Sequence, residues 1–206
     1  MPITPTTERG LATRQRVLEA ATEEFAERGI AGARIDRITN AARTNKAQVY
    51  GYFGSKDGLF DAVIADSVHR ITSAAPFDGG NLWDWAVQLY DANVEHPELV
   101  RLSGWFRLER RPVGMLFDND DHQPKLEAIA RAQAAGTVRG GDPFDIIAMV
   151  IAAACTWSPI SGIYTASPQD PESDHERRRE ALRDFVRAAL TPGPVPGDQA
   201  ASRKRA

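Results

Sequence analysis

RIDRITNAARTNKAQVYGYFGSK, residues 34–56, decides how the rest of this chain is read. Two short helical patterns meet there at Arg43 and Thr44. In the first, over 35–42, Ile35, Ile38 and Ala42 recur at spacings of three and four, one face of a helix. In the second, over about 46–52, Asn45 stands as N-cap, its side-chain oxygen placed to accept from orphan amides. Val49 and Phe53 lie four apart and turn toward a core, which leaves Lys46, Gln48, Tyr50 and Tyr52 to point elsewhere. Five cations, Arg34, Arg37, Arg43, Lys46 and Lys56, stand against the single acid Asp36. That is a local net of +4 inside a chain whose net charge is −3. A basic patch in an acidic chain marks a local contact with a polyanion.

An α-helix fits the major groove of B-DNA, where base edges carry a full donor and acceptor code. In a helix-turn-helix the second helix presents its N-terminal residues to those edges. Lys46 reaches a guanine edge or a phosphate, Gln48 suits adenine, and Ala47 is small enough for close approach to a thymine methyl. Thr44 and Arg43 occupy the turn beside them. Tyr50 and Tyr52 carry hydroxyls on rigid arms suited to phosphate; the competing reading makes both half-buried packing residues. Lys56 and the amides opening the next helix form a phosphate clamp.

Working outward, the spacing of Val17, Leu18, Ala21 and Phe25 predicts an amphipathic helix over 8–28, with Gly29 placed to stop it in a left-handed conformation. Ser55 caps a helix whose apolar face is Leu59, Phe60, Val63, Ile64 and Val68. Pro76, Gly79 and Gly80 mark a domain boundary. Beyond it the periodicity predicts helices over 82–95, 98–110, 124–135, 144–163 and 172–190, with Pro159 kinking the fourth of these. No strand-period segment of useful length occurs, so the fold class is all-α. The expected organisation is a three-helix helix-turn-helix domain over 8–54, a linking helix over 55–72, a C-terminal domain over 80–190 and a disordered tail over 191–206.

The hydrophobic content of 42% and charged content of 26% are those of an ordinary globular protein. Cys155 is the only cysteine, so one chain forms no internal disulfide and no cysteine-based zinc site. The first ten residues lack the apolar core of a signal peptide, and the longest apolar run, 146–156, is too short to span a membrane. A cytoplasmic protein without membrane segments is expected. The acidic run 118–122 lacks the glycine and terminal glutamate of an EF-hand loop. The four histidines are scattered, and no P-loop, GxGxxG or GxSxG pattern occurs. Neither an enzyme nor a bound cofactor is expected.

Residues 25–65, FAERGIAGARIDRITNAARTNKAQVYGYFGSKDGLFDAVIA, resemble the DNA-binding domain of the TetR family of transcriptional regulators. The resemblance is carried by Phe25-Ala26-Glu27-Arg28-Gly29, Ile38, the capped helix with Val49-Tyr50 and Phe53, and Lys56-Asp57-Gly58-Leu59. It implies a homodimer that reads a palindromic operator in double-stranded DNA, with a C-terminal helical domain that binds a small-molecule effector and releases DNA when filled. The DNA-contact set is then Arg34, Arg43, Thr44, Asn45, Lys46, Ala47, Gln48, Tyr50, Tyr52 and Lys56. Three positions depart from the family pattern. Arg43 stands where a small residue, commonly glycine, makes the turn; a positive φ there costs arginine about 1 kcal/mol. Arg34 replaces a serine or threonine, and Thr39 an alanine.

The helices over 144–163 and 172–190 each have apolar surface beyond what one subunit buries, so the expected dimer forms through these last two helices as a four-helix bundle. Helix bundles build ligand pockets from aromatic walls and a few polar groups. Trp105, Leu108, Phe117, Met149, Cys155 and Trp157 are the candidate walls for a hydrophobic, planar ligand, and Arg101, with Arg107 and Arg110, the candidate partner for an acidic group. The alternative function is a helical small-molecule binder whose operator binding is lost or altered, with Arg43 and Thr39 as its signs.

Overall fold

Three short side chains start three helices by accepting from amides of the first turn, where the backbone has orphan donors. Thr7 accepts from Gly10, Asn45 from Gln48 and Ser55 from Gly58, at 3.2, 2.9 and 3.0 Å. The computed structural model describes residues 5–77, 81–113 and 122–193. Its helices are α1 (Glu8–Gly32), α2 (Ile35–Ala41), α3 (Lys46–Phe53), α4 (Lys56–Ala74), α5 (Leu82–Glu95), α6 (Pro97–Trp105), α7 (His122–Ala134), α8 (Pro143–Ala154) and α9 (Glu172–Leu190), with a π-helical turn, Phe106–Arg110, running on from α6. Among the described residues there is no strand, and the fold is all-α. No described helix is long and apolar enough to cross a membrane. Phe117, the acidic residues 118–121 and the tail from 194 onward lie outside the described residues.

Chain contacts divide the molecule into two compact units that interleave in sequence. The first takes Met1–Pro76, Gln88–Asp118 and Cys155–Asp170, the second Phe77–Val87, Asn119–Ala154 and Pro171–Ala206.

The first unit is built on the apolar stripe of α1. Val17, Ala21 and Phe25 are fully buried against Ile38, Val49, Leu59, Phe60 and Val63, and Leu99 and Leu102 of α6 close the same core. Phe25 meets Phe60 edge to face at 5.1 Å, a pairing that adds roughly 0.5–1.5 kcal/mol beyond area burial. The α3–α4 turn needs Gly58, because a Cβ there would sit 2.2 Å from the Phe53 carbonyl oxygen. Gly29 does take a positive φ of 67°, but with ψ at −179°. The helix breaks at Gly29 and then resumes to Gly32 rather than stopping at residue 28.

The second unit pairs α7 with α8 and α8 with α9. Ile146, Ile147, Val150 and Ala154 of α8 are buried together with Leu182, Val186 and Leu190 of α9. Two sequence expectations are corrected. The helix predicted over 144–163 ends at Ala154, five residues before Pro159. A proline clashes with the carbonyl of residue i−4, here Cys155, and drives the preceding residue out of the helical region. A turn from Ser158 N–H to the Cys155 carbonyl, 3.0 Å, takes over. The helix predicted over 98–110 changes register after Trp105, so its last five residues are π rather than α.

Candidate nucleic-acid interface

Helix α3 is anchored by its two apolar residues and leaves most of the others outward. Val49 is fully buried and Phe53 nearly so, while Lys46, Ala47, Gln48 and Tyr50 are exposed. Tyr52 divides from Tyr50: its ring is half-buried, edge-on to Phe53 with centroids 6.2 Å apart. Arg14 of α1 lies over the other aromatic surface of this corner, its guanidinium carbon 5.1 Å from the Phe53 centroid.

The turn between α2 and α3 has the left-handed geometry that its residue type disfavours. Arg43 sits at φ 51° with its side chain exposed. Its N–H donates to the Asn40 carbonyl at 3.2 Å and Thr44 N–H to Thr39 at 3.0 Å. Arg16 braces the turn from α1, donating from Nε to the Ala42 carbonyl at 3.3 Å and from Nη2 to Thr13 at 3.1 Å. The Thr39 hydroxyl is buried and donates to the Asp36 carbonyl at 3.0 Å, so the extra polar atom costs no unsatisfied group.

Both side chains expected to read bases already have partners on the same motif. Lys46 Nζ lies 2.8 Å from Asp36 Oδ1, and the hydrogen bond to Asp36 raises the lysine's pKa above its ordinary value. The Thr44 hydroxyl is hydrogen-bonded to the Gln48 side-chain oxygen. Lys56 is half-buried and donates to the Ala33 carbonyl at 3.1 Å, which fixes α4 to the α1–α2 corner and leaves its remaining N–H donors for a phosphate. Arg34 is exposed and makes no side-chain cap for α2; its backbone N–H donates to Glu24 Oε1 at 2.9 Å.

Glu24 organises that corner. It is 8% exposed and takes a further bond from Arg37 Nε at 2.8 Å. Burial alone would push its carboxyl up, but the hydrogen bonds from Arg37 and the Arg34 amide, with the charges of Arg37 and Arg28, outweigh it and hold the group below its ordinary 4.5. Arg37 therefore belongs to the scaffold rather than to the free basic surface.

The expected ligand walls are not gathered in one place. Cys155 and Trp157 lie with Tyr90 and Asn93 in the first unit: Asn93 Nδ2 donates to Cys155 Sγ at 3.7 Å, and Tyr90 meets Trp157 edge to face at 5.7 Å. Burial pushes the Cys155 thiol above its ordinary 9.0, so it stays protonated at neutral pH. Ser158 joins them, 2% exposed, with no hydrogen bond of good geometry to its Oγ. Trp105 faces α1 instead, Leu108 and Arg101 point into solvent, and Met149 is exposed in the second unit. Arg110 pairs with Asp57 and Asp61 of α4, at 2.8 and 3.4 Å. Arg16, Glu24, Trp105 and Glu109 are the residues that sequence reading passed over as supports of the reading helix. Each of them acts through a partner on another turn or element, which periodicity does not display.

Comparison with known proteins bears on both the N-terminal and the C-terminal part of the chain. A family model for bacterial regulatory proteins of the tetR family matches residues 17–63, and one for a tetracyclin repressor-like C-terminal domain matches residues 81–188. An HTH-type transcriptional repressor of Streptomyces coelicolor, SCO4008, is 33% identical over 152 residues, covering 72% of this chain and 79% of that protein. The transcriptional repressor AcnR of Corynebacterium glutamicum is 28% identical over 134 residues, 63% of this chain and 68% of that protein. The crystal structure of a transcriptional regulator from Streptomyces coelicolor, SCO4942, shares 34% identity at a TM-score of 0.72, covering 86% of this chain and 98% of that one.

Proposed function

This chain belongs to the TetR family of bacterial transcriptional regulators, and from that premise we propose that it is a cytoplasmic repressor. It binds a palindromic operator as a homodimer and is released by a small apolar effector. It is a regulator and not an enzyme. The observation that carries the reading is α3: a helix capped by Asn45, pinned by Val49 and Phe53, with Lys46, Ala47, Gln48 and Tyr50 all outward. Lys46 and Gln48 read bases. Tyr50 and Arg43 meet phosphates, which carry affinity without sequence information. Asp36 holds Lys46 by an ion pair exposed on both sides. Such pairs are weak, so the lysine exchanges Asp36 for a guanine edge at little cost.

Dimerisation is supported by apolar surface that the second unit leaves uncovered. Phe144, Ala148, Met149 and Ala152 form a stripe on α8 at spacings near four, and Ala181, Phe185, Ala188 and Ala189 a second on α9. Met149 is 60% exposed and Phe185 65%. Exposed apolar stripes on two helices that pack against each other suit a two-fold helical bundle and a pair of half-sites about 34 Å apart. The effector reading rests on Tyr90, Asn93, Cys155, Trp157 and Ser158. Aromatic rings beside the buried polar groups of Asn93 and Ser158 suit a planar ligand with one hydrogen-bonding end.

Genomic fragment selection followed by a salt titration tests the proposal. A sequence-specific site whose affinity falls steeply with salt is the expected result. Weak, sequence-independent binding alone would overturn it in favour of a helical ligand-binding protein with altered operator binding.

A further inference from the structure

The break in α1 at Gly29 separates a donor and an acceptor that would otherwise bond to each other. In an unbroken helix the Ile30 N–H donates to the Ala26 carbonyl. Here Ile30 N–H donates to Glu109 Oε1 at 2.9 Å, and Ala31 N–H to Glu109 Oε2 at 2.8 Å. The Ala26 carbonyl accepts instead from the Trp105 indole N–H at 3.2 Å. Two side chains four residues apart, more than seventy residues along the chain, thus supply the acceptor and the donor that the break removed. The fit is close. A Cβ on Gly29 would lie 2.3 Å from Glu109 Oε1 and 2.9 Å from the Trp105 ring, quite apart from the strain of φ 67°.

The same turn is fastened on its other side to α4. Phe106 stacks on Phe60 with centroids 6.3 Å apart, and Arg110 reaches Asp57 and Asp61 while its guanidinium lies 5.9 Å from the Phe60 centroid. Below the break, the chain from Ile30 to Arg34 hands over directly to α2, held by Glu24 on the Arg34 amide and by Lys56 on the Ala33 carbonyl. The direction in which α2 and α3 leave α1 is therefore set at Gly29.

We propose that Trp105 and Glu109 are positioning residues of the DNA-reading unit, splicing the broken α1 so that operator affinity depends on the register of the π-helical turn. A π turn is a local excess of one residue and occurs frequently at functional sites. A shift toward α register moves Trp105 and Glu109 relative to each other and breaks the splice. The inference rests on the operator-binding role proposed above for this chain.

The full-length chain carries the test through E109A, E109Q and W105F. Two readouts apply: amide exchange of Ile30 and Ala31, and affinity at fixed salt for the operator selected by the wild type. E109A is expected to speed exchange at these two amides by about tenfold or more, because hydrogen bonds to a charged acceptor are among the stronger ones. The Val49 and Phe53 amides keep their protection. Operator affinity falls about tenfold with an unchanged salt slope, since no phosphate contact is lost. E109Q, with one acceptor oxygen for two amides, falls between, and W105F, which keeps the ring and loses the N–H, loses about threefold. Wild-type operator affinity in E109A and E109Q overturns the proposal. So does a loss of protection equal at residues 30, 31, 49 and 53, which marks general destabilisation. Should the wild type select no operator, the repressor reading fails by itself. The exchange arm then decides the splice alone: local loss supports it and unchanged protection overturns it.

Discussion

The reading motif and the α8–α9 face obey one rule with opposite results. In both, residues three and four apart bury a stripe: Val49 and Phe53 in α3, Leu182, Val186 and Leu190 in α9. The surfaces left over differ. The motif leaves Lys46, Gln48, Tyr50 and Arg43 outside, whereas the other face leaves Phe144, Met149 and Phe185 outside. Amphipathicity explains the inner stripe in each case and says nothing about the outer one. The outer composition suits different partners under the function proposed above: a polyanion for the first, a second apolar surface for the other.

The largest effect is expected from F185E, which puts a charge in the centre of the proposed dimer face. Light scattering should show a monomer at concentrations where the wild type is a dimer, and operator affinity should fall by about a hundredfold or more as avidity is lost. A wild-type monomer, or an F185E dimer, would remove this half of the comparison.

Glu24 tests how far the reading surface depends on a buried charge beneath it. E24Q should cost about 1–3 kcal/mol at neutral pH in urea unfolding. The sign of the pH dependence follows from its lowered folded pKa. The stabilisation is present above the ordinary value of 4.5 and is lost as pH falls through the lower folded value. The wild type should therefore approach E24Q below pH 4.5, and a constant difference down to about pH 3 would contradict the ion-pair account.

Base reading comes next. Q48A and K46A should each relax preference at one base pair by about 1–3 kcal/mol, while Y50F should weaken all sites alike by a smaller factor. Equal losses on specific and random DNA for Q48A would reassign it to the backbone.

The smallest expected change is R43G, which has two opposed parts. Relief of the positive φ at 51° should raise stability by about 1 kcal/mol. Loss of one phosphate contact should reduce the salt slope by about one. A stability gain with an unchanged slope would mean that Arg43 points away from DNA.

Much of this was legible in the sequence, for local reasons. Caps at Asn45 and Ser55, the buried pair Val49 and Phe53, and the stripe Val17, Leu18, Ala21 and Phe25 all express hydrogen bonds and packing within one or two turns. The resemblance of residues 25–65 to a known DNA-binding domain rested on the same positions. The early end of α8 was less legible: an apolar run cannot show that Pro159 acts on the carbonyl of Cys155 and stops the helix before the proline is reached. Arg178 of α9 is less legible still: it is 4% exposed while its neighbours Arg177 and Glu180 are exposed, and a run of charged residues does not show which of them packing will cover.

By itself the sequence determined where most of the helices lie, the caps at Asn45 and Ser55 and the outward placing of Lys46, Gln48 and Tyr50 on α3, since these follow from chemistry within a few residues. Only the tertiary structure decided that Arg43 takes a positive φ and that Lys46 rests on Asp36. It also decided that the break in α1 is closed by Trp105 and Glu109 from 79 residues away. An unpaired N–H and carbonyl inside a folded chain must find partners, and which distant side chains supply them is settled only when the elements pack.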